Sequence, residues 1–170
     1  MGKVKDVAAI NRVELSIEGD ELIERVKEIL PKLRERAGEE EKVRRLSETT
    51  INDLRHGGVL HMHLPKKYGG AELGFREQFE VCRLLAQGSA STAWVASFLS
   101  HGAIWARKYS PDVQRKIFET ANYSGVCGSN QARSGSKVVS VSGGWELSGR
   151  WGFTSGIWHA SWVYLSIPYE

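Results

Sequence analysis

The sequence has 170 residues, of which 41% are hydrophobic and 25% are charged, and its formal net charge is +3. This composition is typical of a globular protein and excludes a disordered or collagen-like chain, while the weak charge argues against a nucleic-acid partner. No apolar run approaches the ~20 residues of a membrane span, no secretory signal is visible and two cysteines suit a reducing compartment, so we predict a cytoplasmic protein without membrane association.

Helical spacing and dense charge mark the first half of the chain. Residues 1–19 show little periodicity and predict a loose N-terminal arm. Apolar residues then recur every three or four positions, which predicts a helix with Asp20 as its N-cap and a kink at Pro31. The run of charged residues 39–42 is interpreted as a solvated face of this helix.

A short helix and an extended segment are predicted next. Ser47 begins the helix, and the glycines after His56 end it. Residues 59–65 predict extended backbone. Within that segment His61 and His63 would share one side of a strand, but no third ligand has a matching spacing, so we predict no metal site.

Two longer helices follow. Residues 75–87 predict one helix, with Phe79 on its apolar side. Residues 90–105 are apolar nearly all round, which predicts a helix buried at the centre of a bundle. His101 lies in that helix, where the simpler interpretation is a core histidine bonded to a carbonyl and the alternative is a histidine that faces a ligand.

The pattern changes from helix to strand after residue 121, past a short helix that begins at Ser110 and Pro111. Short strands are predicted at 125–129 and 162–167. Between them, two strands joined by Ser142-Gly143-Gly144 predict a hairpin.

We therefore predict an α+β fold in which residues 20–121 form an all-α domain and residues 122–170 begin an antiparallel β-domain. Four or so strands with open edges make an incomplete sheet, so we expect this chain to be part of a longer one. Residues 149–156 combine glycines, aromatic rings and hydroxyls. They fit a wall for a flat conjugated ligand, and ordinary strand packing is the alternative.

Three segments resemble known flavoproteins. Residues 64–73 resemble the Pro-x-x-Tyr-Gly-Gly loop of the acyl-CoA dehydrogenase fold. Residues 88–95 and 155–162 resemble the oxygenase components of two-component flavin monooxygenases built on that fold, the phenol and steroid-phenol hydroxylases. The resemblance extends over residues 21–165.

The resemblance implies a helical N-terminal domain, a middle β-domain and a C-terminal four-helix bundle, the last being absent here. It implies an oxidoreductase that takes reduced flavin, FMN or FAD, from a separate flavin reductase and reacts with O2. The implied reaction is hydroxylation of a phenolic substrate through a flavin C4a-hydroperoxide. A homo-oligomer, a tetramer in the family, is also implied.

By the same resemblance, flavin would contact one set of residues and the substrate another. His101 and Ser155 would be catalytic, and Trp94 and His101 would bind the substrate. The implied flavin contacts are Ser129, Asn130, Phe153, Thr154 and Ser155.

Two alternatives stay open at this point. An acyl-CoA dehydrogenase-like enzyme would act on a CoA thioester, but residues 129–132 depart from the Thr-Glu-Pro-Gly stretch that is common in that branch. An inactive fragment or assembly module is the other alternative. Half of the implied site would belong to the absent bundle, which leaves open whether this chain is itself an enzyme.

Overall fold

Five helices precede four strands in the computed structural model of the protein, which describes residues 16–167. This order confirms the predicted α+β fold class. The proposed arm, residues 1–19, lies almost wholly outside the described residues. The elements are α1 (Ile17–Val43), α2 (Glu48–His56), α3 (Phe75–Gly88), α4 (Ala90–Ala106), α5 (Pro111–Phe118), β1 (Val126–Ser129), β2 (Lys137–Val141), β3 (Gly144–Ser148) and β4 (Trp162–Leu165).

Helix α1 begins earlier than the apolar spacing predicts. Its N-cap is Ser16, whose Oγ accepts a hydrogen bond from the Gly19 amide at 3.1 Å. The prediction of Asp20 as N-cap is therefore wrong, and Asp20 instead lies in the first turn, where a carboxylate favours the helix dipole. The helix continues as one element through Pro31.

The charged run at the end of α1 is not solvated throughout, which corrects its interpretation. Glu40 is buried, and its Oε1 accepts hydrogen bonds from the Ser47 amide at 2.8 Å, the Ser47 hydroxyl at 2.7 Å and the Thr50 hydroxyl at 2.6 Å. Glu40 continues the buried stripe of Val26 and Leu33 at a spacing of seven residues. One carboxylate thus joins the end of α1 to the start of α2, for which Ser47 is the N-cap as predicted.

Residues 59–65 are compact rather than extended, contrary to the prediction. Val59–His61 form a 3-10 helix, and the Leu73 amide donates to the Met62 carbonyl at 2.8 Å, which folds the following loop back onto the segment. The ring of His63 is fully buried beneath that loop. Its buried contacts anchor the turns.

The described residues show no membrane-length apolar helix and no cluster of three potential metal ligands. Both nitrogens of His63 have protein partners, the Leu73 carbonyl at 2.9 Å and Gln78 Oε1 at 3.0 Å. His61 stacks near Tyr123 with ring centroids 5.8 Å apart.

The main core lies between α1, α3 and α4, and α4 also packs directly on β1. Two glycines allow that close approach. A Cβ at Gly102 would lie 1.8 Å from the Val126 carbonyl oxygen, and a Cβ at Gly125, which has φ +101°, would lie 2.3 Å from the Leu99 carbonyl oxygen. Backbone therefore packs on backbone where the helical part meets the strands.

The strands form two separate pairs. β2 and β3 form the predicted antiparallel hairpin, with Val139 opposite Glu146. β1 and β4 pair in parallel, with Cys127 opposite Val163, so the antiparallel expectation holds for the hairpin alone. Parallel pairing requires a long crossover, and here residues 130–161 supply it. They include the hairpin and residues 149–156, which we call the glycine-rich segment.

Candidate functional site

Helix α4 buries one side and leaves the other facing a groove. Trp94 is 60% exposed and Trp105 is 47% exposed, so the prediction of a helix buried all round is wrong. On α3, Phe79 also faces outward, and Val81, Leu84 and Leu85 form the buried side instead.

The groove between α3 and α4 has a volume of about 560 Å³ and a mostly apolar lining. Both helices supply aromatic rings to it, and the polar atoms come from a few side chains. The lining includes Phe75, Gln78, Phe79, Trp94, Ser97 and His101.

His101 lies half-buried in this groove rather than in the core. Its Nε2 accepts a hydrogen bond from the Trp105 indole at 3.1 Å, and its ring packs against Phe75 with centroids 5.4 Å apart. The simpler interpretation, a bond to a neighbouring carbonyl, is not what the structure shows. Burial, with a smaller contribution from the nearby His63, lowers the pKa of His101 below its usual value. The side chain is therefore neutral at pH 7.

Trp94 connects the groove to the glycine-rich segment. Its Nε1 donates to Ser155 Oγ at 3.0 Å, over a separation of 61 residues. The hydroxyl of Ser155 accepts that bond and keeps its own hydrogen to donate. The indole also packs on Phe98 with centroids 5.0 Å apart, which fixes its orientation.

The end of β1 contacts the same glycine-rich segment. Ser129 is buried, and its Oγ donates to the Gly152 carbonyl and accepts from the Gln131 amide. Asn130 is exposed, and its Oδ1 accepts a 2.6 Å hydrogen bond from Ser166 Oγ beyond β4. Ser129 therefore holds the backbone of the glycine-rich segment from its buried side, and Asn130 lies at the exposed end of the β1–β4 pair.

Phe153 and Thr154 form the outer surface of that segment. Phe153 is 80% exposed and has φ +56°, a left-handed conformation that is strained for a residue other than glycine. An outward aromatic ring on strained backbone is typical of a ligand-binding loop. Thr154 is half-buried, and its carbonyl accepts from the Ile157 amide at 3.2 Å.

The structure brings some of the predicted residues together. Trp94 and Ser155 touch, and Ser129 contacts the backbone one residue before Phe153. No contact joins His101 directly to Ser155 among the described residues. An exposed aromatic ring beside donor hydroxyls can bind a flat conjugated ring, and the adjoining groove can hold a second aromatic molecule.

Sequence reasoning missed several polar residues around this surface. The apolar pattern of α4 identifies Trp105 only as one of its apolar residues, although its spacing of four residues from His101 indicates contact. Gln78 bridges the buried His63 and the Ser97 carbonyl, and neither of its contacts follows from periodicity. His159 is buried 3.1 Å from Glu48 Oε1 and lines a second cavity, of about 320 Å³, on another side of Ser155.

Residues 20–121 match the family model described as acyl-CoA dehydrogenase, N-terminal domain. Among curated relatives, a pigment production hydroxylase from a Rhodococcus strain is 34% identical over 158 residues, or 92% of this chain and 40% of the relative. The oxygenase component of p-hydroxyphenylacetate 3-hydroxylase from Acinetobacter baumannii is 30% identical, over 88% of this chain and 35% of the relative.

Solved structures give the same grouping. XiaF from Streptomyces, in complex with FADH2 and glycerol, has a TM-score of 0.82 and 28% identity, over 87% of this chain and 37% of its own. The HsaA monooxygenase from Mycobacterium tuberculosis has a TM-score of 0.79 and 26% identity, over 86% of this chain and 40% of its own. The chain spans about two fifths of the length of these relatives. The family match covers more than half of the chain, and the chain therefore belongs to the acyl-CoA dehydrogenase family, as an N-terminal portion whose relatives include flavin-dependent monooxygenases.

Proposed function

We propose that this chain is the helical and first β portion of the oxygenase component of a two-component flavin monooxygenase that hydroxylates an aromatic substrate. The observation that carries the proposal is the hydrogen bond from Trp94 to Ser155. Trp94 lies on α4, the helix that the resemblance implies to bind the substrate, and Ser155 lies in residues 149–156, which it implies to bind flavin. The hydrogen bond brings these two parts into direct contact. A reaction between two bound molecules requires such adjacency.

Reduced flavin would lie against the glycine-rich segment. The exposed ring of Phe153 offers a face for packing, and the Ser155 hydroxyl has a hydrogen to donate to a ring nitrogen. Ser129 and Asn130 would hold the neighbouring edge, and Thr154 would line the segment. When bound, the flavin supplies the activation of O2 at C4a that the resemblance implies.

The substrate would lie in the groove between α3 and α4. Its apolar lining suits an aromatic body, and His101 lines the groove together with Trp94. Because His101 is neutral, it orients a phenolic oxygen without adding a charge to the groove. The aromatic rings that line the groove are partly exposed in this chain, and exclusion of water, which would protect activated oxygen from loss as peroxide, would require further cover over them.

The remaining parts of the proposal concern partners and location. A separate flavin reductase would supply FMN or FAD in reduced form, and the protein would assemble as a homo-oligomer, with a tetramer as the family's form. Both cysteines are free thiols, which fits a cytoplasmic location.

Anaerobic titration with reduced FMN and reduced FAD, followed by fluorescence and by circular dichroism of the protein, tests the proposal. We expect one reduced flavin to bind, and Ser155→Ala to weaken binding by about tenfold, as the loss of one hydrogen bond in a site predicts. Ser148→Ala is the matched control, because Ser148 is an exposed serine at the end of β3. Failure of both flavins to bind the folded protein, or binding of a CoA thioester in their place, would contradict the proposal.

A further inference from the structure

Trp105 and His101 form a hydrogen bond between their rings beside the groove. The two residues lie four apart on α4, and the indole Nε1 donates to the imidazole Nε2 at 3.1 Å. The rings meet edge to face, with centroids 6.3 Å apart and planes at 71°. Both the spacing and the length are ordinary for a stable contact on one helix face.

An indole can only donate a hydrogen bond, so this contact fixes where the imidazole proton lies. Neutral histidine has one protonated and one unprotonated ring nitrogen. If Nε2 of His101 held the proton, two N–H groups would point at each other, and the imidazolium form has the same conflict. The acceptor must be an unprotonated Nε2, which places the proton of His101 on Nδ1.

Two neighbours hold this pair of rings in place. The Lys108 ammonium lies 4.6 Å from the centroid of the Trp105 ring, and Phe75 packs on the imidazole with centroids 5.4 Å apart. A cation on the indole face draws electron density from the N–H group and strengthens it as a donor. The orientation of His101 is thus set from both sides.

The other nitrogen of His101 is available to a ligand. Among residues 16–167, none makes a hydrogen bond to Nδ1 of His101, and the side chain lines the groove. The charged or titratable groups around it are few. His63 lies in the segment before α3, the Lys108 ammonium lies over the Trp105 ring, and Cys82 and Arg83 line the groove, where Arg83 is paired with Glu80.

We propose that Trp105 is a positioning residue that fixes His101 as the Nδ1–H tautomer, so that His101 meets its ligand as a hydrogen-bond donor. The ligand must then present an acceptor oxygen to His101, as a phenolate or a carbonyl does, with its aromatic body against Phe75 and Trp94. That description of the ligand rests on the proposed function. The tautomer of His101 does not, because it follows from the contact with Trp105 alone.

Long-range ¹H–¹⁵N NMR of the ¹⁵N-labelled protein reads the protonation of each ring nitrogen of His101. The wild type should show a protonated Nδ1 and an unprotonated Nε2 at pH 7.5. Trp105→Phe keeps an aromatic ring at a half-exposed position but removes the donor, and we expect a mixture of both tautomers. Trp162→Phe is the matched control, because it removes an equivalent indole bond, to Thr120 Oγ1 at 2.8 Å, on β4.

Two results would overturn the inference. One is a wild-type His101 that holds its proton on Nε2 or on both nitrogens at pH 7.5. The other is a folded Trp105→Phe variant whose His101 tautomer equals that of the wild type. The wild-type measurement needs no variant, so the inference stays testable even if the substitution harms folding.

A ligand experiment separates this inference from the proposed function. The probe is 4-nitrophenol, whose absorbance distinguishes phenol from phenolate. We expect the wild type to bind the phenolate form in preference, and Trp105→Phe to lose about threefold to tenfold of that preference, the worth of one hydrogen bond. The tautomer of His101 could change in Trp105→Phe while the wild type binds no nitrophenol. That result would count against the proposed function and would still support the role of Trp105. Equal preference in the variant and the wild type would contradict donation by His101.

Discussion

At the scale of single residues, two histidines link protonation to folding. The pKa of His61 is lowered by burial and by the charge of Arg55, and the pKa of His101 is lowered by burial and by His63. In the unfolded chain each titrates near its ordinary value of 6.5. Below that pH the unfolded state binds more protons than the folded state. The folded state, which holds both imidazoles neutral, is therefore at its full stability above pH 6.5. It loses stability as the pH falls below 6.5, because the unfolded chain then gains protons that the folded chain does not.

We expect the urea midpoint of unfolding to fall when the pH is lowered from 7.5 to 5.5. His61→Gln should flatten the dependence by removing one of the two groups. His56→Gln serves as the matched control for the loss of a histidine, because His56 is exposed at the end of α2. A midpoint that is constant or rises toward pH 5.5 would show that burial does not disfavour the charged imidazoles.

Motifs in the sequence identify candidate residues of the site, but they do not show which of these residues contact one another. The resemblance pointed to Trp94 and Ser155 separately, and the structure joins them across 61 residues by one hydrogen bond. A contact of that range depends on how the backbone of α4 meets β1, which no local pattern encodes. The roles given to His101, Ser155 and the flavin contacts remain predictions.

At the scale of elements, the packing of α4 on β1 positions the site. Helix α4 holds Trp94, His101 and Trp105, and β1 leads to Ser129. The absence of a side chain at Gly102 lets the two elements touch, since a Cβ there would lie 1.8 Å from the Val126 carbonyl oxygen. Backbone atoms cannot move aside as a flexible side chain can, so the helix would have to shift as a unit.

Gly102→Ala should therefore destabilise the protein by about 3 kcal/mol, at the upper end of ordinary overpacking, although alanine favours helix. The total tryptophan fluorescence should change as well, because Trp94 and Trp105 lie on the same helix as Gly102. Gly38→Ala is the matched control within a helix, because no atom lies within 4 Å of a Cβ placed there. It should stabilise by about 0.5–1 kcal/mol. Chemical denaturation measures both, and a Gly102→Ala variant as stable as the wild type would refute the close packing.

The elements themselves were predicted with uneven success, for reasons that differ. Helix α2 and the β2–β3 hairpin follow local signals, a serine cap and a Gly-Gly turn, and both were found. The compact segment 59–65 was missed because a fully buried His63 stabilises it through residues 73 and 78. Alternating apolar residues in a turn are indistinguishable from those of a strand when the tertiary partner is unknown.

At the scale of the whole molecule, burial is distributed unequally between the two strand pairs. β1 is buried along its whole length against α4, whereas its partner β4 is exposed at three of its four residues. The β2–β3 hairpin is exposed on both faces, with Val139 54% and Leu147 43% exposed. A two-stranded hairpin without an apolar partner is only marginally stable in water. The molecule therefore combines a well-packed helical body with a weakly held hairpin.

We expect amide hydrogen exchange to reveal this difference directly. Amides of β1 and α4 should exchange only through unfolding of the body, whereas those of β2 and β3 should exchange through local opening and be faster by about a hundredfold or more, since each 1.4 kcal/mol of local stability is a factor of ten. Val139→Asp should leave the denaturation midpoint nearly unchanged, and Val126→Asp, at a buried position of β1, should lower it strongly. Equal protection of both strand pairs would show that the hairpin is held by more than its own pairing, and the division between a rigid body and a weak hairpin would then be wrong.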